Sequence, residues 1–239
     1  MKVAEKVILL LDGGVAAAIA GSLHPNPNAK FQTVKESFRF SLECYGIKDL
    51  MASGEVIHFV DSGGRYEVSI LLLENHEPPI LACALNEVLL KLTGDDHSTV
   101  PTLIVPFVVP ESKLKQENRY SGKSDTVSLY GMKLGPKTDL SELLSSRLQQ
   151  SPPFSQILHE ELALLLHLVN VKKLPTVVMI GVTGHSTSSK NSKEELEVTC
   201  QIGEHLASVS SLTFSKEKMV QSPTKTSRDG QEAWRALYG

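Results

Sequence analysis

The sequence predicts an α/β fold: a single domain in which a largely parallel or mixed sheet carries helices on both faces. Two observations lead there. Residues 7–11, 102–109 and 175–182 are apolar runs, rich in β-branched residues and free of charge, as in strands buried on both sides. Between them lie segments with apolar residues at helical spacing, punctuated by glycine and proline, and this alternation is the signature of helices packed on a sheet. A length of 239 residues with 41% apolar content suits one domain with appendages.

In chain order, residues 7–11 read as a buried strand ending in the Asp12-Gly13-Gly14 turn, and the small residues 15–20 as a short helix. His24-Pro25-Asn26-Pro27-Asn28 reads as a loop, because each proline restricts its predecessor and removes a donor. Residues 34–44 suit a helix, although Phe38 and Phe40 also permit a strand. Residues 56–60 and 66–73 flank the turn-rich Asp61-Ser62-Gly63-Gly64-Arg65 and predict a hairpin. A helix over 80–92 follows Pro78-Pro79 and stops before Gly94. Prolines 101, 106 and 110 bound the regular part of the strand over 102–109.

Residues 111–125, polar and rich in Lys, Ser and Gly, predict an exposed loop. A short strand at 126–130 and a helix at 139–149 come next. Pro152-Pro153 then introduces a helix over 154–171, which leads to the buried strand at 175–182. Ser192 and Glu195 form a capping pattern for a helix reaching about residue 208. This divides the chain into an α/β domain over 1–214 and a tail over 215–239. The tail lacks the apolar content to offset its ordering entropy and reads as a mobile tether.

Composition excludes several functions. A formal net charge of -3 and 5% aromatic residues argue against nucleic-acid binding. Cys44, Cys83 and Cys200 are odd in number and far apart, so they predict free thiols in a reducing compartment rather than disulfides or a zinc site. The N-terminal apolar stretch is interrupted by Asp12, and Glu5 precedes it, which disfavours a signal peptide; no run approaches the roughly 18 apolar residues of a membrane span. A soluble, cytoplasmic protein, present also in the nucleus, is expected, with no membrane partner.

Three catalytic motifs begin and fail. His159-Glu160-Glu161-Leu162-Ala163 starts like a zinc helix, but Ala163 stands where the second histidine is needed, and His167 lies too far along a helix to share the ion. Gly122-Lys123-Ser124 ends like a phosphate-binding loop, yet Glu117 replaces its first glycine. In Gly184-His185-Ser186-Thr187-Ser188, Ser188 replaces the glycine that a nucleophile elbow needs for its sharp turn. An enzyme reading therefore rests on Gly13-Gly14 as an anion-binding turn, or on Ser186 as a nucleophile with His185, His159 or His97. Neither a metal nor a cofactor is predicted.

The tail closes with Ala233-Trp234-Arg235-Ala236-Leu237-Tyr238-Gly239, which holds the single tryptophan. Leu237-Tyr238-Gly239 has the form apolar residue, tyrosine, any residue, carboxylate. Such an end can seat an aliphatic side chain and a ring in a groove while the carboxylate meets a basic group. It resembles the tails with which proteasome activators and assembly chaperones enter pockets between the α-subunits of the 20S core. Leu162 through Val171, followed by Lys173-Leu174-Pro175-Thr176-Val177-Val178-Met179-Ile180, also resembles the proteasome assembly chaperone 1 family. That resemblance covers residues 162–182 and the tail. It implies a phosphorylase-like fold without catalysis, a heterodimer with proteasome assembly chaperone 2, proteasome α-subunits as partners, and Leu237, Tyr238 and Gly239 as the partner-binding residues. A phosphorylase- or hydrolase-like enzyme is the alternative.

Overall fold

The computed structural model of the chain describes residues 1–11, 13–94, 100–116, 128–184 and 188–221. At its centre four parallel strands run side by side. These are β5 (Tyr66–Leu73), β1 (Lys6–Leu10), β6 (Thr102–Pro110) and β11 (Thr176–Thr183), the apolar runs of the sequence. The order β3-β4-β5-β1-β6-β11-β8-β9 makes an eight-stranded mixed sheet. One flank is the antiparallel pair β3 (Gln32–Ser41) and β4 (Met51–Val60), and β4 and β5 form the predicted hairpin. The other flank is β8 (Ser128–Leu134), antiparallel to β11, with the short β9 (Gln149–Gln150) beside it.

Both faces of the centre are buried, so each strand feeds two cores. Val7, Leu9, Val105 and Val178 meet α2 (Pro78–Thr93) and α4 (Glu160–Lys172) through residues such as Leu85, Leu89 and Leu165. Ile8, Leu10, Ile104 and Met179 meet α1 (Gly13–Ser22), α3 (Asp139–Arg147) and α5 (Ser188–Ser210) through Ile19, Leu144 and Ile202. The period of two along each strand thus sorts its residues between two helical layers. Helix ends follow local chemistry. Pro78 and Pro79 occupy the first turn of α2, and Thr138 and Ser141 close a reciprocal capping box on α3.

Several elements differ from expectation. Residues 32–41 form a strand, not a helix: β3 is an edge strand exposed over most of both faces, so it lacks the clean alternation that marks a half-buried strand. Part of the expected loop at His24 and Pro25 is β2 (Leu23–Pro25), paired with β12 (Leu212–Phe214). The helix expected from residue 154 starts only at Glu160. Phe154–Ile157 is β10, antiparallel to β7 (Leu114–Gln116), so the expected loop at 111–125 begins with a 3-10 turn and a paired strand while 117–125 lie outside the described residues. Finally, Lys216–Gln221, assigned to the tail by composition, form α6, whose Met219 is buried against the core and accepts a hydrogen bond at Sδ from Ser22 Oγ, 3.7 Å away.

Pro106 lies inside a central strand, where a proline is normally excluded. Thr102 N–H donates to Glu5 of the chain entering β1, and Leu103 N–H to Pro175 on the β11 side, so even-numbered positions of β6 face β1. The β1–β6 ladder ends at Ile8 and Ile104, just before position 106 would have to donate. The missing donor therefore coincides with the point where the two strands part.

Gly181 shows how tightly α5 sits on the sheet: a Cβ there would overlap Val198 Cγ1. Gly181→Ala is expected to destabilise the fold by about 1–3 kcal/mol in urea unfolding. Combined with Val198→Ala it should cost clearly less than the sum of the two single changes, because one removes the overlap that the other creates. Full additivity would show that this contact does not set the spacing of the layers.

Candidate functional site

Four places in the described structure can be weighed as sites. The first is the crevice where β1 and β6 part, at the C-terminal edge of the parallel strands, the position at which open α/β sheets bind ligands. Leu10, Leu11, Val15 and Ile19 line it with Pro106, Phe107 and, from the start of α4, His159 and Glu161. Its volume is about 30 Å³, the share of about one water molecule and far below a small-molecule pocket. Gly13 and Gly14 begin α1 beside it, whereas Asp12 lies outside the described residues.

His159 is accounted for by its place in the chain. It is the N-cap of α4, where Nδ1 accepts a hydrogen bond from Leu162 N–H at 3.3 Å while the ring meets Phe107 edge-on at 5.7 Å. The resemblance to a zinc helix is thus a capped helix start, and among the described residues no group of three His, Cys, Asp or Glu side chains could hold a metal. His97, Lys123, His185 and Ser186 lie outside the described residues, as do Leu237, Tyr238 and Gly239.

The second place escaped the sequence reading. His58 on β4 and Ser69 on β5 face each other in the hairpin register, with Nδ1 and Oγ 2.9 Å apart, and Glu36 Oε2 lies 4.0 Å from His58 Nε2. Serine, histidine and carboxylate in this order look like a hydrolytic triad, but the surroundings contradict it. Ser69 is 0% exposed, and its Oγ accepts from Ala4 N–H at 2.9 Å. Ser69 Oγ and His58 Nδ1 share a hydrogen bond whose direction follows the imidazole tautomer, and Nε2 faces Glu36. Tyr66 stacks on the imidazole at 4.4 Å, and Lys2 Nζ lies 4.9 Å from the Tyr66 ring. The network ties the N-terminal residues to the hairpin and gives substrate no access to Ser69. Two polar residues inside apolar strand runs, opposed once the hairpin turn sets the register, were the signal that could have revealed it.

The third is the end of α4. This helix turns Leu162, Leu165 and Val169 to the core, Leu164 and Leu168 are half-buried against it, and Val171 is 64% exposed. The fourth is a trough of about 290 Å³ beside β3 and β4. Its floor is Ile57 and Phe59, one wall is the C-terminal half of α1 with Ala17 and Gly21, and Lys35 and Glu55 stand on the strand side. Ile57 and Phe59 are nonetheless buried among the residues of the second core, and α2 packs on β3 and β4 from the opposite face.

Burial pushes the His58 imidazole below its ordinary pKa and Lys2 acts in the same sense, outweighing the opposing Glu36 carboxylate. The unfolded chain therefore takes up the proton first, so stability contributed by neutral His58 is full above about pH 6.5 and is lost as pH falls through its lower folded pKa. Burial, with Lys218, shifts His24 the same way. The midpoint of thermal unfolding should consequently fall between about pH 7 and pH 5, and less so in His58→Gln. Equal slopes in both proteins would show that His58 does not titrate on unfolding.

Comparison with known proteins places this geometry. Among solved structures, a protein of unknown function from Thermoplasma acidophilum is similar at TM-score 0.56 and 10% identity, over 100% of this chain and 92% of that one. Rv2714 of Mycobacterium tuberculosis, also of unknown function, is similar at 0.51 and 15%, over 97% of this chain and 76% of that one. PbaB of Pyrococcus furiosus, an archaeal proteasome activator, gives 0.49 and 11%, over 100% and 96%. At such identities the likeness is one of fold. No curated protein matches the chain. One family does so over residues 1–239, and the chain belongs to it: the domain of unknown function DUF7894.

Proposed function

We propose that the chain is a non-catalytic chaperone for assembly of the 20S proteasome α-ring, anchored by Leu237, Tyr238 and Gly239. It would act in the cytoplasm and the nucleus as a heterodimer with a proteasome assembly chaperone 2 protein. The observation that carries the reading is the tail itself, an apolar residue, a tyrosine and a last residue placed after a polar stretch that follows α6. Leu237 and the Tyr238 ring supply apolar area for a pocket between subunits, and the Gly239 carboxylate a charge for a basic group there. Once the body rests on a subunit, the tether raises the local concentration of the anchor into the millimolar range, so a weak terminal contact suffices.

The body supports a binding role in a second way. Its crevice at the C-terminal strand edge, at about 30 Å³, is too small for a nucleoside or an ester substrate. The single Ser-His-Glu arrangement among the described residues is sealed under the N-terminal residues and serves the fold.

Removing residues 237–239, or making Tyr238→Ala, is expected to weaken binding to isolated α-rings about tenfold or more, as befits loss of a central aromatic anchor. The unfolding midpoint should stay unchanged. Binding as tight as that of the intact chain in both variants would overturn the anchor.

A further inference from the structure

Two serines in the chain precede proline, in Ser151-Pro152 and Ser222-Pro223, and no threonine does. Proline in that place suits the protein kinases whose cleft leaves the amide after the acceptor serine without a partner: any other residue there buries an unpaired N–H, and proline has none. Such kinases favour a base three residues after the serine, where it meets a negative group of the enzyme. Ser222-Pro223-Thr224-Lys225 carries Lys225 in that position, whereas Phe154 stands there for Ser151. The fold separates the two serines further. Ser151 N–H donates to Gly131 O at 3.1 Å and its Oγ to Pro152 O at 3.1 Å, between β9 and β10, so this serine is tied to the sheet.

Ser222 is the first residue after α6 and lies outside the described residues. The element before it is held by few contacts. α6 has six residues, too few to persist on its own hydrogen bonds. Met219 is buried against the core with its Sδ accepting from Ser22 Oγ, Ser215 N–H donates to Ser22 O at 2.9 Å, and Lys216 Nζ lies 2.7 Å from Glu204 Oε1 in an exposed pair that adds little. A kinase grips its substrate as an extended strand on both sides of the serine. On the N-terminal side those residues are Met219, Val220 and Gln221. A docked α6 and a filled kinase cleft therefore exclude each other.

We infer that Ser222 is a phosphorylation site for a proline-directed kinase, and that α6 is its latch, which admits the kinase when it opens and is kept open by the phosphate. In the step, Ser222 Oγ attacks the γ-phosphorus of ATP. The new O–P bond forms as the bond from that phosphorus to the β,γ-bridging oxygen breaks, the serine proton passes to the kinase's aspartate base, and ADP leaves with the electron pair. The product carries about two negative charges just beyond the C-terminal end of α6, where the last carbonyls already concentrate negative charge, so the helix re-forms less readily. The consequence for the anchor rests on the α-ring reading: with α6 released, its six residues join the tether to Leu237 and add about 20 Å of reach.

The site is tested by incubating the full chain with a cyclin-dependent kinase and Mg²⁺-ATP and locating the phosphate by mass spectrometry. One phosphate at Ser222 is expected, with Ser151 untouched in the folded protein, and the rate should fall about tenfold in Pro223→Ala and less in Lys225→Ala. No phosphate on Ser222, a rate indifferent to Pro223, or equal modification of Ser151 overturns the site. The latch is read separately. Ser22→Ala and Met219→Ala should each speed phosphorylation severalfold, and the phosphorylated chain should exchange its α6 amides faster while the central strands keep their protection. Ser22→Ala removes only the hydrogen bond to Met219 Sδ, so it answers even where Met219→Ala loosens the core. Rates equal to that of the intact chain in both variants, or unchanged exchange of the Met219 amide after phosphorylation, overturn the latch. Absence of α-ring binding by the phosphorylated and the unmodified chain alike removes the chaperone reading and leaves the phosphate and exchange results to judge this one.

Discussion

A parallel strand buried on both faces needs apolar side chains on both and helices above and below it, and the rest of this structure follows from that demand. Eight consecutive residues of β11, from Thr176 to Thr183, pair with Leu103 through Pro110 of β6. Their side chains divide between two cores, Val178 and Ile180 with α2 and α4, Val177 and Met179 with α1 and α5. Because the two helical layers are set by these strands, they are least complete where the parallel strands end. On one face a trough opens between α1 and the β3–β4 wing, with Ile57 and Phe59 buried beneath it.

The same demand bears on chemistry. Where β1 and β6 part at Pro106, an α/β enzyme would hold its substrate, but Phe107, Val15 and Ile19 fill the opening to about the volume of one water molecule. The buried polar groups nearest to a catalytic pattern, His58 and Ser69, satisfy each other and the Ala4 N–H. Among the described residues the body presents surface at the end of α4, where Val171 is exposed, and along the edge strand β3.

The central strands and their helices were legible because their apolar runs are long, and the β4–β5 hairpin because Asp61 through Arg65 mark its turn. Elements whose pairing is decided by distant residues were not. β3 reads ambiguously because an edge strand packs only Phe38 in the core, and β10 was taken into the following helix because only its pairing with β7 separates the two. α6 looks like tail by composition, and its hold on the body, Met219 in the core and Lys216 paired with Glu204, comes from residues distant in sequence. The Leu237-Tyr238-Gly239 motif was legible as sequence alone, whereas the trough was not, because its lining comes from α1, β2, β3, β4 and β5 and exists only when these meet.

The proposed anchor for the α-ring is Leu237, Tyr238 and the Gly239 carboxylate. It is tested most directly with a peptide of residues 222–239, prepared with a free and with an amidated C-terminus and titrated against isolated α-rings. The account predicts that the free-acid peptide binds and displaces the intact protein, and that amidation, which removes the charge but keeps Leu237 and Tyr238, weakens it severalfold. Failure of the free-acid peptide to bind, or indifference to the carboxylate, would contradict it.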